Sequence, residues 1–178
     1  MDLKIKTYLR IYSESKFVAE NIISNPLAFF LEINDSTECA NRLEQERISI
    51  DHYTRGLVLI EHNYQKIIGF TDHDLIMPLW WNFLVEIEEY ISSGDGELHF
   101  QDQPLKLVLE RRKGNRIVIT KIAGINKKLG YWDLNESQFL KEFTSSAILF
   151  YKVIANISND GNLEEGKLFA TKLNDTLL

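Results

Sequence analysis

The chain has 178 residues, of which 44% are hydrophobic and 11% aromatic, and its 26 acidic and 20 basic residues give a net charge of −6. A chain of this length has enough apolar residues to bury roughly 70% of its unfolded surface in one domain. Because no long basic tract is present to neutralise phosphates, nucleic-acid binding is disfavoured. The densest apolar run, Ala147 to Tyr151, is too short for a membrane-spanning helix, which needs ~20 apolar residues, so no membrane association is expected.

The N-terminus and the cysteine content predict a cytoplasmic location. Residues 1–6 alternate charged and apolar side chains and lack the apolar segment of a secretory signal. A single cysteine, Cys39, cannot form an intramolecular disulfide, which is usual in a reducing compartment. Ile, Asn and Lys are abundant, as in proteins of AT-rich bacterial genomes, so we expect a bacterial protein.

The N-terminal region is predicted to contain a strand and a short helix. Residues 3–11 alternate apolar with charged or aromatic side chains, which predicts a half-buried strand with a basic, aromatic outer face. Ser13 or Ser15 can cap a helix that Pro26 ends. Residues 34–45 are polar without a clear period, and we expect a loop or a short helix there.

Two β-hairpins follow from runs of alternating apolar residues on either side of turn-forming residues. Residues 56–61 and 66–71 flank a turn in which Asn63 tolerates the left-handed conformation. Residues 105–110 and 117–122 flank a second turn that contains a glycine. Both segments predict antiparallel strand pairs.

Two amphipathic helices are predicted after capping residues. The first follows Asp74, which can accept hydrogen bonds from its first turn, and it places Trp80 in an apolar stripe. The second follows Asn135 and is apolar nearly all round over residues 147–155. This apolar stretch predicts either a central position in the core or a subunit contact in a homo-oligomer.

The order of these elements predicts a single α+β domain over residues 1–178. Its largely antiparallel β-sheet is built from hairpins, and the two main amphipathic helices pack on one face. Residues 162–178 are expected to form a loosely packed C-terminal tail, or a short helix through Leu168 and Leu173. Gly94 and Gly96 lack a third glycine at phosphate-loop spacing, so no nucleotide cofactor or other cofactor is expected.

The aromatic residues are the strongest candidates for a binding surface. Trp81 lies about 100° round the helix from Trp80, so partial exposure is expected. Tyr131 and Trp132 fall in a predicted loop over residues 124–133, beside Asp133. Aromatic loops next to acidic residues are typical of protein interfaces, although Trp132 could also pack this loop onto the following helix. The predicted partner-binding residues are Trp81, Tyr131, Trp132 and Asp133.

A weaker candidate is a metal site formed by His62, Asp72 and His73. Imidazole nitrogens and carboxylate oxygens could hold Zn, Mn or Fe if the three side chains converged and left a position open for water. Their spacing matches no established metal motif, and a surface turn followed by a helix cap is the commoner explanation.

Three functions remain open from the sequence. The first is a non-enzymatic protein-binding module with a basic protein partner. In size, acidity, single-domain organisation and lack of catalytic motifs, the chain resembles bacterial immunity proteins, which inhibit a toxin. The second is a small-ligand-binding protein or a metal-assisted hydrolase that uses His62, Asp72 and His73. The third is a structural homo-oligomer built through residues 147–155.

Overall fold

The computed structural model describes residues 2–11, 19–158 and 163–177, so the predicted helix cap at Ser13 or Ser15 lies outside the described residues. The described residues form nine strands in two antiparallel sheets and five helices, which is the α+β class predicted from the sequence. The strands are β1 (Leu3–Arg10), β2 (Phe30–Glu32), β3 (Arg55–His62), β4 (Gln65–Ile68), β5 (Asp74–Leu75), β6 (Asp95–His99), β7 (Leu105–Arg112), β8 (Arg116–Ala123) and β9 (Lys127–Asn135). The helices are α1 (Ala19–Ser24), α2 (Ser36–Glu46), α3 (Ile76–Ser93), α4 (Glu136–Ile157) and α5 (Leu163–Asp175).

The two sheets differ in topology. In the first sheet the strand order is β2-β1-β3-β4, and the short β5 pairs with the start of β3. The second sheet is a meander in which β6, β7, β8 and β9 pair in chain order. In each sheet every pairing is antiparallel, because hairpins and short connections link neighbouring strands.

Both predicted hairpins are confirmed. The turn between β3 and β4 places Asn63 and Tyr64 at φ values of 49° and 66°. The turn between β7 and β8 places Gly114 and Asn115 at φ values of 79° and 59°. Two successive residues with positive φ form the turn whose twist matches that of paired strands, so the local sequence determines both connections.

The core lies between the sheets and helices α3 and α4. Trp80 is fully buried, and its ring packs edge-on against Phe143 of α4 with the ring centroids 5.2 Å apart. Its Nε1 donates a hydrogen bond of 3.1 Å to Oγ1 of Thr7 on β1. This tryptophan therefore connects both main helices to the first sheet, and its polar atom is satisfied inside the core.

The outer face of the first sheet is more covered than its sequence pattern predicts. Tyr8 was expected on an exposed face, but it is buried against Phe70, with ring centroids 5.1 Å apart, and Ile22 of α1 joins the same apolar cluster. Its hydroxyl lies 3.0 Å from Oε2 of Glu32. The central strands are therefore buried on both faces at this end.

Of the two alternatives for the C-terminal residues, the structure shows the helix: α5 includes Leu168 and Leu173 and packs on the rest of the chain. Leu163 and Leu173 of α5 are buried, and Gly166 lies so close to α4 that a Cβ atom there would be 2.3 Å from the Tyr151 ring. Helix α5, together with β1 and α2, covers the apolar stretch of α4 over residues 147–155. Much of this stretch is thus buried within one chain, whereas Leu149 is 39% exposed, and the homo-oligomer stays a prediction.

Among the described helices, none combines the length and the apolar character that crossing a membrane requires.

Candidate functional site

The four predicted partner-binding residues lie on two different parts of the molecule. Trp81 lies on α3, whereas Tyr131, Trp132 and Asp133 lie on β9, an edge strand of the second sheet.

The predicted loop over residues 124–133 is wrong from Lys127 onward, where β9 begins. Gly124, at a φ of 57°, turns the chain after β8, and β9 then pairs along the whole length of β8. The pairing shifts register between Lys121 and Ile122, so β9 carries an extra residue there. Such a bulge interrupts the alternation by which a strand is recognised in a sequence.

Along β9, successive side chains point to opposite faces of the sheet. Trp132 is half-buried and packs on the main core, with its ring over Gly130, where a Cβ atom would lie 2.1 Å from the ring. Tyr131 points outward and is 56% exposed, and the Nζ of Lys128 lies 4.8 Å from its ring centroid. Asp133 accepts a hydrogen bond of 2.8 Å from Nε of Arg116. Trp132 is thus a packing residue, and Tyr131 has basic neighbours.

A second surface is formed where α3 and α5 lie side by side. Trp81, Val85 and Glu88 are spaced i, i+4 and i+7 on α3, and Glu165, Phe169 and Lys172 have the same spacing on α5. Two contacts connect these stripes: the Trp81 and Phe169 rings are 5.6 Å apart, and Nζ of Lys172 is 3.7 Å from Oε1 of Glu88. We call these six residues the α3–α5 face.

The α3–α5 face combines exposed apolar area with acidic surroundings. Trp81 is 38% exposed and Val85 is 42% exposed. Glu88 and Glu165 of the face are exposed, and so is Glu89, the next residue on α3. The predicted partial exposure of Trp81 is therefore confirmed, and the exposed glutamates lie about two turns further along α3 and on α5.

A pocket of about 370 Å³ opens at the N-terminal end of the α3–α5 face. Met77, Pro78 and Trp81 form one wall, and Leu163, the first residue of α5, contributes to the other side. Helix α3 is fixed at this point because the backbone N–H of Ile76 donates a hydrogen bond of 3.0 Å to the carbonyl of Thr54. Most of this wall is apolar.

The polar part of the pocket comes from four separate segments of the chain. His52 precedes β3, Asn82 is on α3, Gln101 follows β6 and Tyr151 is on α4. Among the described residues that line the pocket, none is an aspartate, glutamate, lysine or arginine. The pocket thus offers an imidazole, two amides and a hydroxyl, without a carboxylate, lysine or arginine among its described lining residues.

Tyr151 is the most deeply placed of these polar residues. It is 3% exposed, and its side chain makes no hydrogen bond to another described residue. Burial raises the pKa of its hydroxyl, which therefore keeps its proton at neutral pH. Its oxygen is not among the described polar atoms that are fully buried without a partner, so the hydroxyl keeps contact with solvent and can bond to a ligand in the pocket.

The structure does not assemble the alternative metal site. Asp72 forms a largely buried ion pair with Lys121, with 2.6 Å between Oδ2 and Nζ, and also accepts a hydrogen bond from the N–H of Gly69. His73 lies against Phe30, with 6.2 Å between ring centroids, and burial lowers its pKa. His62 is at the opposite end of β3, about 20 Å away at ~3.3 Å per residue.

The described residues contain no group of three or more His, Cys, Asp or Glu side chains placed to hold a metal ion. The three candidate ligands His62, Asp72 and His73 are therefore not brought together.

Asp74 does not cap α3 as predicted, because its carboxylate is used elsewhere. The residue is fully buried, and its Oδ2 accepts hydrogen bonds of 2.6 Å and 3.2 Å from the backbone N–H groups of Gln101 and Asp102. It thus fixes the segment between β6 and β7, including Gln101 in the pocket wall. A carboxylate can replace water for several buried amides at once, which explains this position.

The sequence reasoning missed the α5 half of the site. Glu165, Phe169 and Lys172 have the helical spacing that faces α3, but the segment was expected to be a loose tail or a short helix, with no part in a binding surface. The same spacing in Trp81, Val85 and Glu88 could have suggested two stripes side by side. The position of Tyr151 beneath Gly166 has no signature in the sequence.

No protein-family model, curated protein or solved structure matches this chain. The α3–α5 face and the pocket are therefore the features of the molecule that suggest a function.

Proposed function

We propose that this protein is a non-enzymatic binding module whose α3–α5 face binds a basic protein partner, as a bacterial immunity-type inhibitor would. The observation that carries this proposal is the position of Trp81, an exposed tryptophan on a rigid helix with acidic side chains around it. Tryptophan is enriched among the residues that contribute most to binding at protein interfaces.

Trp81 is held in place by its neighbours, which suits it to bind in a pocket of a partner protein. Its neighbour Trp80 is fully buried, and Phe169 holds its ring from the α5 side. Little side-chain entropy is therefore lost when a partner covers the exposed part of the ring. Val85, one turn further along α3, extends the apolar area that a partner would bury.

The charges around this anchor favour a basic partner. Glu88, Glu89 and Glu165 are exposed, and Lys172 is the basic member of the α3–α5 face. Because the whole chain carries a net charge of −6, a positively charged protein would be attracted from a distance and oriented by the glutamates close to Trp81.

The available acidic and imidazole groups also fit a binding role better than a catalytic one. Asp72 is paired with Lys121, and Asp74 is saturated by backbone amides. These contacts stabilise the fold and leave the two carboxylates poorly placed to act on a substrate.

The experiment that tests this proposal compares capture of a partner by three forms of the protein. Wild type, Trp81→Ala and Tyr131→Ala are immobilised and exposed to the small basic proteins encoded beside the gene. Both variants remove one exposed aromatic ring, so Tyr131→Ala is a matched control on β9. We expect one basic protein to bind wild type and Tyr131→Ala with similar affinity and Trp81→Ala at least tenfold more weakly.

Two results would contradict the proposal. One is a partner whose affinity depends on Tyr131 and is unchanged by Trp81→Ala, because that result would place the interface on β9. The other is a partner whose binding becomes stronger when Glu88 and Glu89 are neutralised, since that would exclude a basic surface opposite them.

A further inference from the structure

We infer that the pocket at the N-terminal end of α3 binds an uncharged purine-type ring, which packs on Trp81 and bonds to the hydroxyl of Tyr151. This site is separate from the protein interface proposed above, although Trp81 borders both. The inference depends on the lining of the pocket, on the buried tyrosine and on the rigidity of the walls.

The hydroxyl of Tyr151 is the first reason to assign a ligand to this pocket. Its oxygen is not among the described polar atoms that are fully buried without a hydrogen-bond partner, so this hydroxyl is accessible to solvent and to a ligand. Tyr151 is 3% exposed, has no such partner among the described residues, and lines the pocket. A ligand with a hydrogen-bond acceptor would satisfy this group.

The lining of the pocket determines the charge of the ligand. No acidic side chain, lysine or arginine is among the described residues that line it. A phosphate or carboxylate placed there would lose hydration without gaining the permanent counter-charge of a lysine or arginine, and His52 is the one described lining side chain that can become cationic. The ligand chemistry is therefore that of a free base or nucleoside, and a nucleotide is disfavoured.

The shape and polar groups of the lining favour a flat heteroaromatic ring. Trp81 offers an indole face at the mouth, and stacking of a base on an aromatic side chain stabilises binding by about 1–3 kcal/mol. Asn82 and Gln101 each offer one donor and one acceptor, and this pair of groups matches the amino and ring-nitrogen edge of adenine. A volume of about 370 Å³ falls within the usual range of small-molecule sites.

The walls of the pocket are held in place before any ligand arrives. Gly166 lets α5 approach until the position of a Cβ atom there would be 2.3 Å from the Tyr151 ring, so the ring has no room to move toward α5. The 2.6 Å bond from the N–H of Gln101 to Asp74 fixes the opposite wall. Preorganised walls lower the entropy lost on binding, and they are typical of a preformed ligand pocket.

The test uses ligands that differ in one group each, with adenosine as the parent compound. AMP adds a charged phosphate, and purine riboside removes the 6-amino group. Binding to the full-length protein is followed by chemical-shift changes in two-dimensional NMR spectra and by calorimetry. We expect saturable adenosine binding, at least tenfold weaker binding of AMP, and weaker binding of purine riboside.

Two variants connect this binding to the pocket. Tyr151→Phe keeps the buried ring and removes only the hydroxyl, and we expect it to weaken adenosine binding up to about tenfold while the melting temperature stays the same or rises. Trp81→Leu removes the stacking surface, and we expect a loss of tenfold or more. Trp132→Phe on β9 is the matched aromatic control and should leave adenosine affinity unchanged.

The inference is overturned if adenosine does not bind at millimolar concentration to folded wild type. It is also overturned if adenosine binds equally well to Tyr151→Phe and Trp81→Leu, because the ligand would then lie elsewhere. Preferential binding of AMP would contradict the assignment of an uncharged ligand. None of these results bears on Glu88 and Glu89, so the protein interface is tested independently.

Discussion

The α3–α5 face and strand β9 both carry an aromatic pair, but the two backbones present these pairs differently. On α3, Trp80 and Trp81 are about 100° apart, so one ring enters the core and the other remains at its edge. On β9, Tyr131 and Trp132 point to opposite faces of the sheet. The helix therefore leaves its exposed ring supported by a buried neighbour, whereas the strand leaves Tyr131 on an open sheet face.

The charges near the two exposed rings also differ. Glu88, Glu89 and Glu165 are exposed on or beside the α3–α5 face, whereas Lys128 lies over the Tyr131 ring and Asp133 falls on the same side of β9. The first surface is therefore mainly acidic and the second is mixed. Net charge therefore predicts the charge of a partner's surface only when the binding surface on this chain is known.

We expect the largest effect on the free energy of unfolding at Trp80. Trp80→Ala removes a fully buried ring and its hydrogen bond to Thr7, and should lower the free energy of unfolding by about 3–5 kcal/mol. Trp81→Ala should lower it by about 2 kcal/mol, because 38% of that residue is already exposed. Urea denaturation of both variants gives the two values. Equal losses would mean that Trp81 is a core residue.

The second prediction concerns Trp132, which packs on the core. Trp132→Ala should lower the free energy of unfolding by about 2 kcal/mol, because the half-buried ring packs on the core and covers Gly130. Partner affinity should stay within about twofold of wild type. Denaturation and binding are measured on the same preparation. A loss of affinity without a loss of stability would return the interface to β9.

The parts of the fold that follow from local chemistry could be predicted from the sequence. The two hairpin turns need residues that accept a positive φ, and the cap of α4 needs a side-chain acceptor: Oδ1 of Asn135 lies 2.8 Å from the N–H of Gln138. Each of these features depends on residues that are close together in the chain. A single sequence contains all the information required.

The parts that could not be predicted depend on contacts between distant residues. Asp74 was expected to cap α3, but its oxygens bond to amides 27 and 28 residues away. Strand β9 was hidden by the bulge opposite Lys121 and Ile122. Helix α5 is stabilised by close approach at Gly166, a residue that by itself disfavours a helix. Tertiary packing outweighs local preference in each case.

The residues of the candidate site likewise fall into those that local sequence could predict and those that only distant contacts bring together. Trp81 was identified because its exposure depends only on the turn of one helix. The pocket brings together residues from His52 to Leu163, and these segments meet only when α5 packs on α4 and Asp74 fixes Gln101. No spacing rule in a single sequence connects Tyr151 with Trp81.

The third prediction concerns the acidic residues of α3 and the rate of association with a basic partner. Glu88→Gln with Glu89→Gln should slow association with the basic partner several-fold at low salt, with little effect on stability, because the Glu88–Lys172 pair is exposed. Glu38→Gln with Glu44→Gln on α2 makes the same change in net charge and should slow association less. Association rates are measured by surface plasmon resonance at low and high salt. Equal slowing by both pairs would mean that only net charge matters.

The smallest effect is expected at Asp133, the acidic residue of β9 that the sequence marked for binding. Its carboxylate already accepts a hydrogen bond from Arg116, and both side chains are well exposed, so the pair contributes little to stability. Asp133→Asn should move the melting temperature by no more than about 2 °C and leave partner affinity unchanged. Calorimetric melting and a binding titration measure both.

Because Arg116 would lose its carboxylate partner in Asp133→Asn, a basic partner lying on β9 would be repelled by the variant. A marked loss of affinity would therefore place that partner on β9, whereas an unchanged affinity leaves the α3–α5 face as the acidic aromatic surface available to it.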